Sequence, residues 1–139
     1  MEITRREALI GALLPVLQLF RGETAQAQQA QASDGTVFQH DLPNVTLDDW
    51  QVNASTIVLE PGSVGRPHRH PGFVLVYILE GEVVAKVTDQ QEATYKAGQM
   101  FYEQPGSTHE VSRNASATKP AKVLALIFAK KGLPLVTPA

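Results

Sequence analysis

From residue 50 onward, short apolar or alternating runs are separated by turn residues at a fairly even spacing. The runs are Ser55–Leu59, Val74–Leu79, Val83–Val87, Met100–Glu103, Glu110–Ser112 and Val123–Phe128. Between them stand Pro61-Gly62, Glu80-Gly81-Glu82, Asp89-Gln90, Lys96-Ala97-Gly98 and Pro105-Gly106, residues that pre-set or tolerate turn geometry. After residue 36 no window carries a long apolar stripe of helical period, so little helix is expected. Many short strands at this spacing predict an all-β fold, a sandwich or closed barrel. Val123–Phe128 is apolar at both parities, which predicts a strand covered on each face.

Residues 1–27 follow a different pattern. Arg5 and Arg6 make a charged start, Ala8–Phe20 is an apolar stretch broken only by Gln18, and Ala25-Gln26-Ala27 places small residues where a signal peptidase cuts. Thr4-Arg5-Arg6-Glu7-Ala8-Leu9 resembles a twin-arginine export signal, though Glu7 and Ala8 are not the residues most favoured there. As a helix the apolar stretch would rise about 20 Å, short of the ~30 Å hydrocarbon core, so no permanent membrane anchor is expected. An uncleaved amphipathic helix is the alternative, against which Pro15 argues. The expected organisation is an export signal over 1–27, a polar flexible lead-in over 28–35 and a folded domain over 36–138. That implies a periplasmic or secreted protein of bacterial type.

With 139 residues there is room for one domain. Twelve Lys+Arg against fourteen Asp+Glu give a formal charge of −2, with no basic stripe, so no nucleic acid is expected as a partner. The chain has no cysteine, which removes disulfides, thiolate metal sites and cysteine nucleophiles from consideration.

The chemistry concentrates in two turn-framed segments. His68 and His70 lie between Pro67 and Pro71, which bias the backbone toward an extended form. In an extended chain, residues i and i+2 point to one side, so both imidazoles could face one point with Arg69 directed away. His109 follows the Pro105-Gly106 turn and opens the next strand. Imidazole binds Zn, Fe, Cu, Ni and, less tightly, Mn, so three histidines are enough to hold a metal with open positions. Alone, His-x-His equally fits two solvated loop histidines.

Both segments resemble the motifs of the cupin superfamily, of the small single-domain, type-2-like kind. Gly62, His68, His70 and Gly81 fall in register with the first motif, G-x5-H-x-H-x3-E-x6-G, and Tyr77-Ile78-Leu79-Glu80-Gly81-Glu82 looks like the strand and turn that close it. Gly98, Pro105, His109 and Asn114 fall in recognisable places of the second. The resemblance implies a single jelly-roll β-barrel and carries over three metal ligands: His68, His70 and His109. It departs from the family where the motif's glutamate would stand, since Val74 occupies that position and neither Val74 nor Leu75 can bind a metal. The second motif is also irregular, with six residues between Gly98 and Pro105 and Asn114 one place late.

Glu103, on the strand leading to His109, could face inward with Phe101 and ligate or carry acid–base work; the alternative is an exposed strand residue. Tyr102 and Tyr77 could supply a phenol, although most strand tyrosines simply pack. The catalytic candidates are therefore Glu103 and Tyr102. Glu110 should point opposite to His109, Arg66, Arg113 and His40 read as surface, and Gly81, Gly98 and Gly106 read as turn positions. Sequons occur at Asn44, Asn53 and Asn114, but a bacterial export signal argues against glycosylation.

The resemblance and the three-histidine set imply a small-molecule metalloenzyme of dioxygenase type, with lysis or isomerisation by the same Lewis acid as variants. The alternative is a non-catalytic metal- or small-ligand-binding cupin, or a structural one with degenerate ligands. The expected cofactor is a divalent metal. Fe or Mn is favoured because twin-arginine cargo is loaded and folded before export; Zn, Ni or Cu remain possible, and affinity alone would favour Cu or Zn. A homodimer and a small-molecule substrate or ligand are the expected partners.

Overall fold

A computed structural model of the protein describes residues 35–139. The expected export signal and all but the last residue of the lead-in lie outside the described residues. Nine strands follow: β1 (Trp50–Leu59), β2 (His68–Arg69), β3 (Phe73–Glu80), β4 (Glu82–Val87), β5 (Ala93–Lys96), β6 (Met100–Glu103), β7 (Thr108–Asn114), β8 (Ala121–Lys130) and β9 (Thr137–Pro138). The described residues contain no helix.

The strands form two antiparallel sheets, one of order β1-β8-β3-β6 and one of order β5-β4-β7-β2-β9. The fold is all-β and of jelly-roll type, as expected, but the ladders do not close the two sheets into a continuous barrel. Alternation decides what each strand buries. On β3, Val74, Val76 and Ile78 point into the space between the sheets, and on β8 Ala121, Val123, Ala125 and Ile127 do the same. Val83, Ala85, Tyr95 and Phe101 complete this core. Fully burying Ile78, Val74 or Val87 is worth about 1.5–3 kcal/mol each.

The expectation that Val123–Phe128 is covered on both faces is corrected. Its residues alternate between buried and half-buried along β8, because the outer face carries only a partial aromatic cover. There Phe73 stacks on Phe128 with ring centroids 4.6 Å apart, Trp50 and Tyr102 flank Phe73, and His40 lies against Tyr102 at 4.1 Å.

Backbone contacts fix the register between the layers. Gly72 passes so close to β8 that a Cβ there would sit 1.7 Å from the carbonyl oxygen of Phe128, so only glycine permits this approach. Gly81 turns β3 into β4 with φ 74°, a conformation L side chains rarely adopt. Asn114 is buried and acts as a structural pin: its Nδ2 donates to the carbonyls of Leu59, Glu60 and Lys119, and its Oδ1 accepts from the amide of Ser116.

Candidate metal centre

His68 and His109 are direct cross-strand partners between β2 and β7, so their side chains share one face. His70, just past β2, joins them. The ring centroid of His68 lies 5.0 Å from that of His70 and 5.1 Å from that of His109. Arg69 points the other way, as the alternation requires, and its Nε donates to Thr108 Oγ1. At His109 the β4–β7 ladder shifts register, pairing Lys86 with Val111 but Val87 with His109. This bulge leaves Glu110 as the extra residue, on the outside and paired with Lys86. Bulges re-aim side chains in this way beside functional sites.

Glu103 comes from the other sheet. It is 2% exposed, so the exposed reading is corrected, and it stands directly across the β3–β6 ladder from Val74. The position where the family motif carries its carboxylate thus holds an apolar side chain, while its cross-strand neighbour holds the acid. Directly opposed residues have Cβ atoms about 4.5–5.5 Å apart, so the carboxylate stands on the same rung, one strand over, and still reaches the site.

Hydrogen bonding orients the rings. Nδ1 of His70 lies 2.6 Å from the carbonyl oxygen of Leu135, and Nδ1 of His68 lies 2.9 Å from that of Arg66. A carbonyl only accepts, so both Nδ1 atoms carry the proton and both Nε2 atoms keep a lone pair. His109 Nδ1 faces Glu103 Oε1 at 3.3 Å, and His70 Nε2 lies 3.6 Å from Glu103 Oε2. Two buried atoms of this cluster have no hydrogen-bond partner, Glu103 Oε2 and His109 Nε2. His70 is held below the ordinary histidine pKa chiefly by burial, which outweighs the opposing effects of the Glu103 carboxylate and the Leu135 carbonyl. It is therefore a neutral ring at neutral pH, the form a metal needs.

His68, His70 and Glu103 each offer one ligand atom, and these atoms lie within 4.8 Å of one another. His109 stands outside that set but contacts it through Glu103. The donor set fits a divalent metal: two neutral imidazoles, one carboxylate, and a histidine–carboxylate contact of the kind that orients ligands. These four side chains all line a cavity of about 160 Å³ between the sheets.

The remaining candidates lie elsewhere. Tyr102 is buried on the outer face against Phe73 and His40, with its phenol pKa raised by burial, and does not line the cavity. Its catalytic candidacy is thereby corrected: it alternates with Phe101 and Glu103, so it must face away from them. Tyr77 is not among the cavity's residues either. Arg66 is exposed, and Arg113 pairs with Glu92 at 3.3 Å. What the sequence does not reveal is the Leu135 carbonyl, because a backbone group in the bend before β9 leaves no side-chain signature.

A family model described as the cupin domain matches residues 55–127. The chain is a cupin. Solved structures agree on the fold. The DMSP lyase DddQ from Ruegeria pomeroyi is 18% identical with a TM-score of 0.55, covering 63% of this cupin and 43% of that chain. An uncharacterised double-stranded β-helix protein from Klebsiella pneumoniae is 19% identical with a TM-score of 0.54, covering 63% and 74%. A variant of oxalate decarboxylase from Bacillus subtilis is 20% identical with a TM-score of 0.53, covering 63% and 23%. This cupin thus spans less than half the length of the lyase and decarboxylase chains it resembles. No curated protein matches its sequence.

Proposed function

We propose that this cupin is an exported, divalent-metal-dependent enzyme of dioxygenase type acting on a small molecule, with His68, His70 and Glu103 as ligands and His109 beside them. The observation that carries the reading is the convergence of two histidines and one carboxylate within 4.8 Å. Two histidines and a carboxylate with open positions are the donor set of non-haem iron oxygenases, which also favours Fe or Mn over softer-ligand metals. The orphaned Oε2 of Glu103 supports it, since a buried carboxylate oxygen without a partner is costly unless something binds it.

When bound, the metal would supply Lewis acidity and open positions for substrate and dioxygen. The chain's own contribution is orientation. Leu135 and Arg66 carbonyls fix the tautomers of His70 and His68, and Glu103 Oε1 holds His109 by its Nδ1, leaving the buried Nε2 without a partner. His109 then serves as a fourth ligand or as a hydrogen-bonding group beside the open positions. The hydrophobic walls exclude water and raise the strength of every electrostatic interaction inside. The twin-arginine-like signal supports export to the periplasm, and a homodimer is part of the same proposal.

The test is elemental analysis of protein purified without chelators or nickel, beside His68→Ala and Glu103→Ala. Roughly one Fe or Mn per chain, lost in both variants with the β-type circular dichroism retained, is expected. Oxygen uptake with small aromatic or enol substrates should follow in the wild type only. Substoichiometric metal indifferent to both substitutions would overturn the metal reading, and zinc alone would overturn the preferred metal.

A further inference from the structure

The cavity wall combines two kinds of chemistry. His68, His70, Glu103 and His109 all line it; apart from them, Ser112 is the only polar residue among the described residues that does so. The rest of the wall is apolar and drawn from both sheets, including Val74, Val76, Val83, Phe101, Ala125 and Ile127. Among the described residues no lysine or arginine lines it. Most of this wall is deeply buried, while Ile57 and Val136, 47% and 51% exposed, form the part nearest solvent.

We infer that the substrate of this site is a small uncharged molecule with an apolar body and a single polar head, the head toward the histidines and the body against Val76, Val83, Phe101 and Ala125. The inference rests on the metal reading above for where the head goes, but the apolar wall stands by itself. Three observations carry it. A second carboxylate or an ammonium group on the ligand would enter a wall with no opposite charge, and an unpaired charge in such surroundings is strongly disfavoured. Dianions such as oxalate are excluded on that ground. Ser112 allows at most one further hydrogen bond. The volume sets the size: a cavity of about 150 Å³ lined by apolar side chains accommodates a benzene ring, so the ligand has about six to ten non-hydrogen atoms.

Phenol and oxalate are the probes. Binding of each to metal-loaded and metal-free protein is followed by calorimetry, with metal content measured on the same samples, for wild type, Ala125→Phe and Val76→Thr. Phenol should bind at least tenfold more tightly than oxalate. Ala125→Phe fills the cavity and should weaken phenol by tenfold or more with metal content unchanged. Val76→Thr keeps the volume, introduces a hydroxyl and should weaken phenol by a smaller factor; it serves should Ala125→Phe not fold. Oxalate binding as tightly as phenol, or phenol binding indifferent to the substitution that folds, would overturn the inference. Protein that takes up no metal yet binds phenol sensitively to these substitutions would uphold the apolar site and overturn the metal reading alone.

Discussion

Val74 and Glu103 face each other across one ladder, and the contrast between them shows that either strand of a pair can deliver an acid to the same cavity. β3 at Val74 is the place where the family motif expects its acid; this chain has packed it with a methyl-bearing side chain, 1% exposed. β6 at Glu103 is a place the motif does not mention, yet its carboxylate meets His70 and His109. Because opposed residues in an antiparallel pair share a face, acid and valine could exchange strands on this rung while the same space stays half polar and half apolar. What reaches the cavity depends on the pair more than on which strand supplies the acid.

The largest way to break this pairing acts on both partners at once. Gly72→Ala would force β3 away from β8, since the new Cβ meets backbone and not a flexible side chain. A loss of about 3 kcal/mol or more is expected, read as a lower urea midpoint with unchanged slope. Next comes the acid itself. Glu103→Val, which makes both sides of the rung apolar, should lower metal affinity by about 100-fold in a chelator competition; unchanged affinity would mean that the three histidines suffice. The double exchange Val74→Glu with Glu103→Val should then regain metal affinity to within about tenfold of wild type, because the carboxylate only crosses to the opposed strand of the same rung. No recovery would show that the position on β6, with its contact to His109, matters and not just the charge.

The smallest expected effect is acid sensitivity of the metal-free protein. Burial lowers the His70 pKa in the folded state below its ordinary 6.5, so the unfolded chain takes up this proton first. The stabilisation associated with His70 is fully present above pH 6.5 and is lost as pH falls from there toward the folded value. Urea unfolding of wild type against His70→Gln across that window should show the difference shrinking with acid. A difference that grew instead would reverse the sign of the shift.

Much of this was readable in advance. The alternation in Val74–Leu79, Val83–Val87 and Met100–Glu103 located β3, β4 and β6 because one face of each is buried. β5 (Ala93–Lys96) escaped because Tyr95 is its one buried side chain, and in the first half of β1 the alternation of Gln51–Ser55 buries no apolar face, since Val52 and Ala54 are both exposed. β2 and β9, two residues each, have no period to detect. His68 and His70 were legible through spacing, but the meeting of Val74 with Glu103 depends on the β3–β6 register over 29 positions, which no local pattern encodes. The burial of Glu103 followed the same rule that misdirected Tyr102: on a regular strand, one of two neighbours must turn outward.

The hydrogen bond between His70 and Leu135 joins residues 65 positions apart. A nick near Gly132 would therefore leave every strand but β9 in its ladder and still let the imidazole lose its carbonyl acceptor. A metal bound at this site would report on the integrity of a segment that reaches it three ways, through the Leu135 oxygen, the wall residue Val136 and the pairing of β9 with His68. Trimming the molecule there would disturb the site before it unfolds the protein.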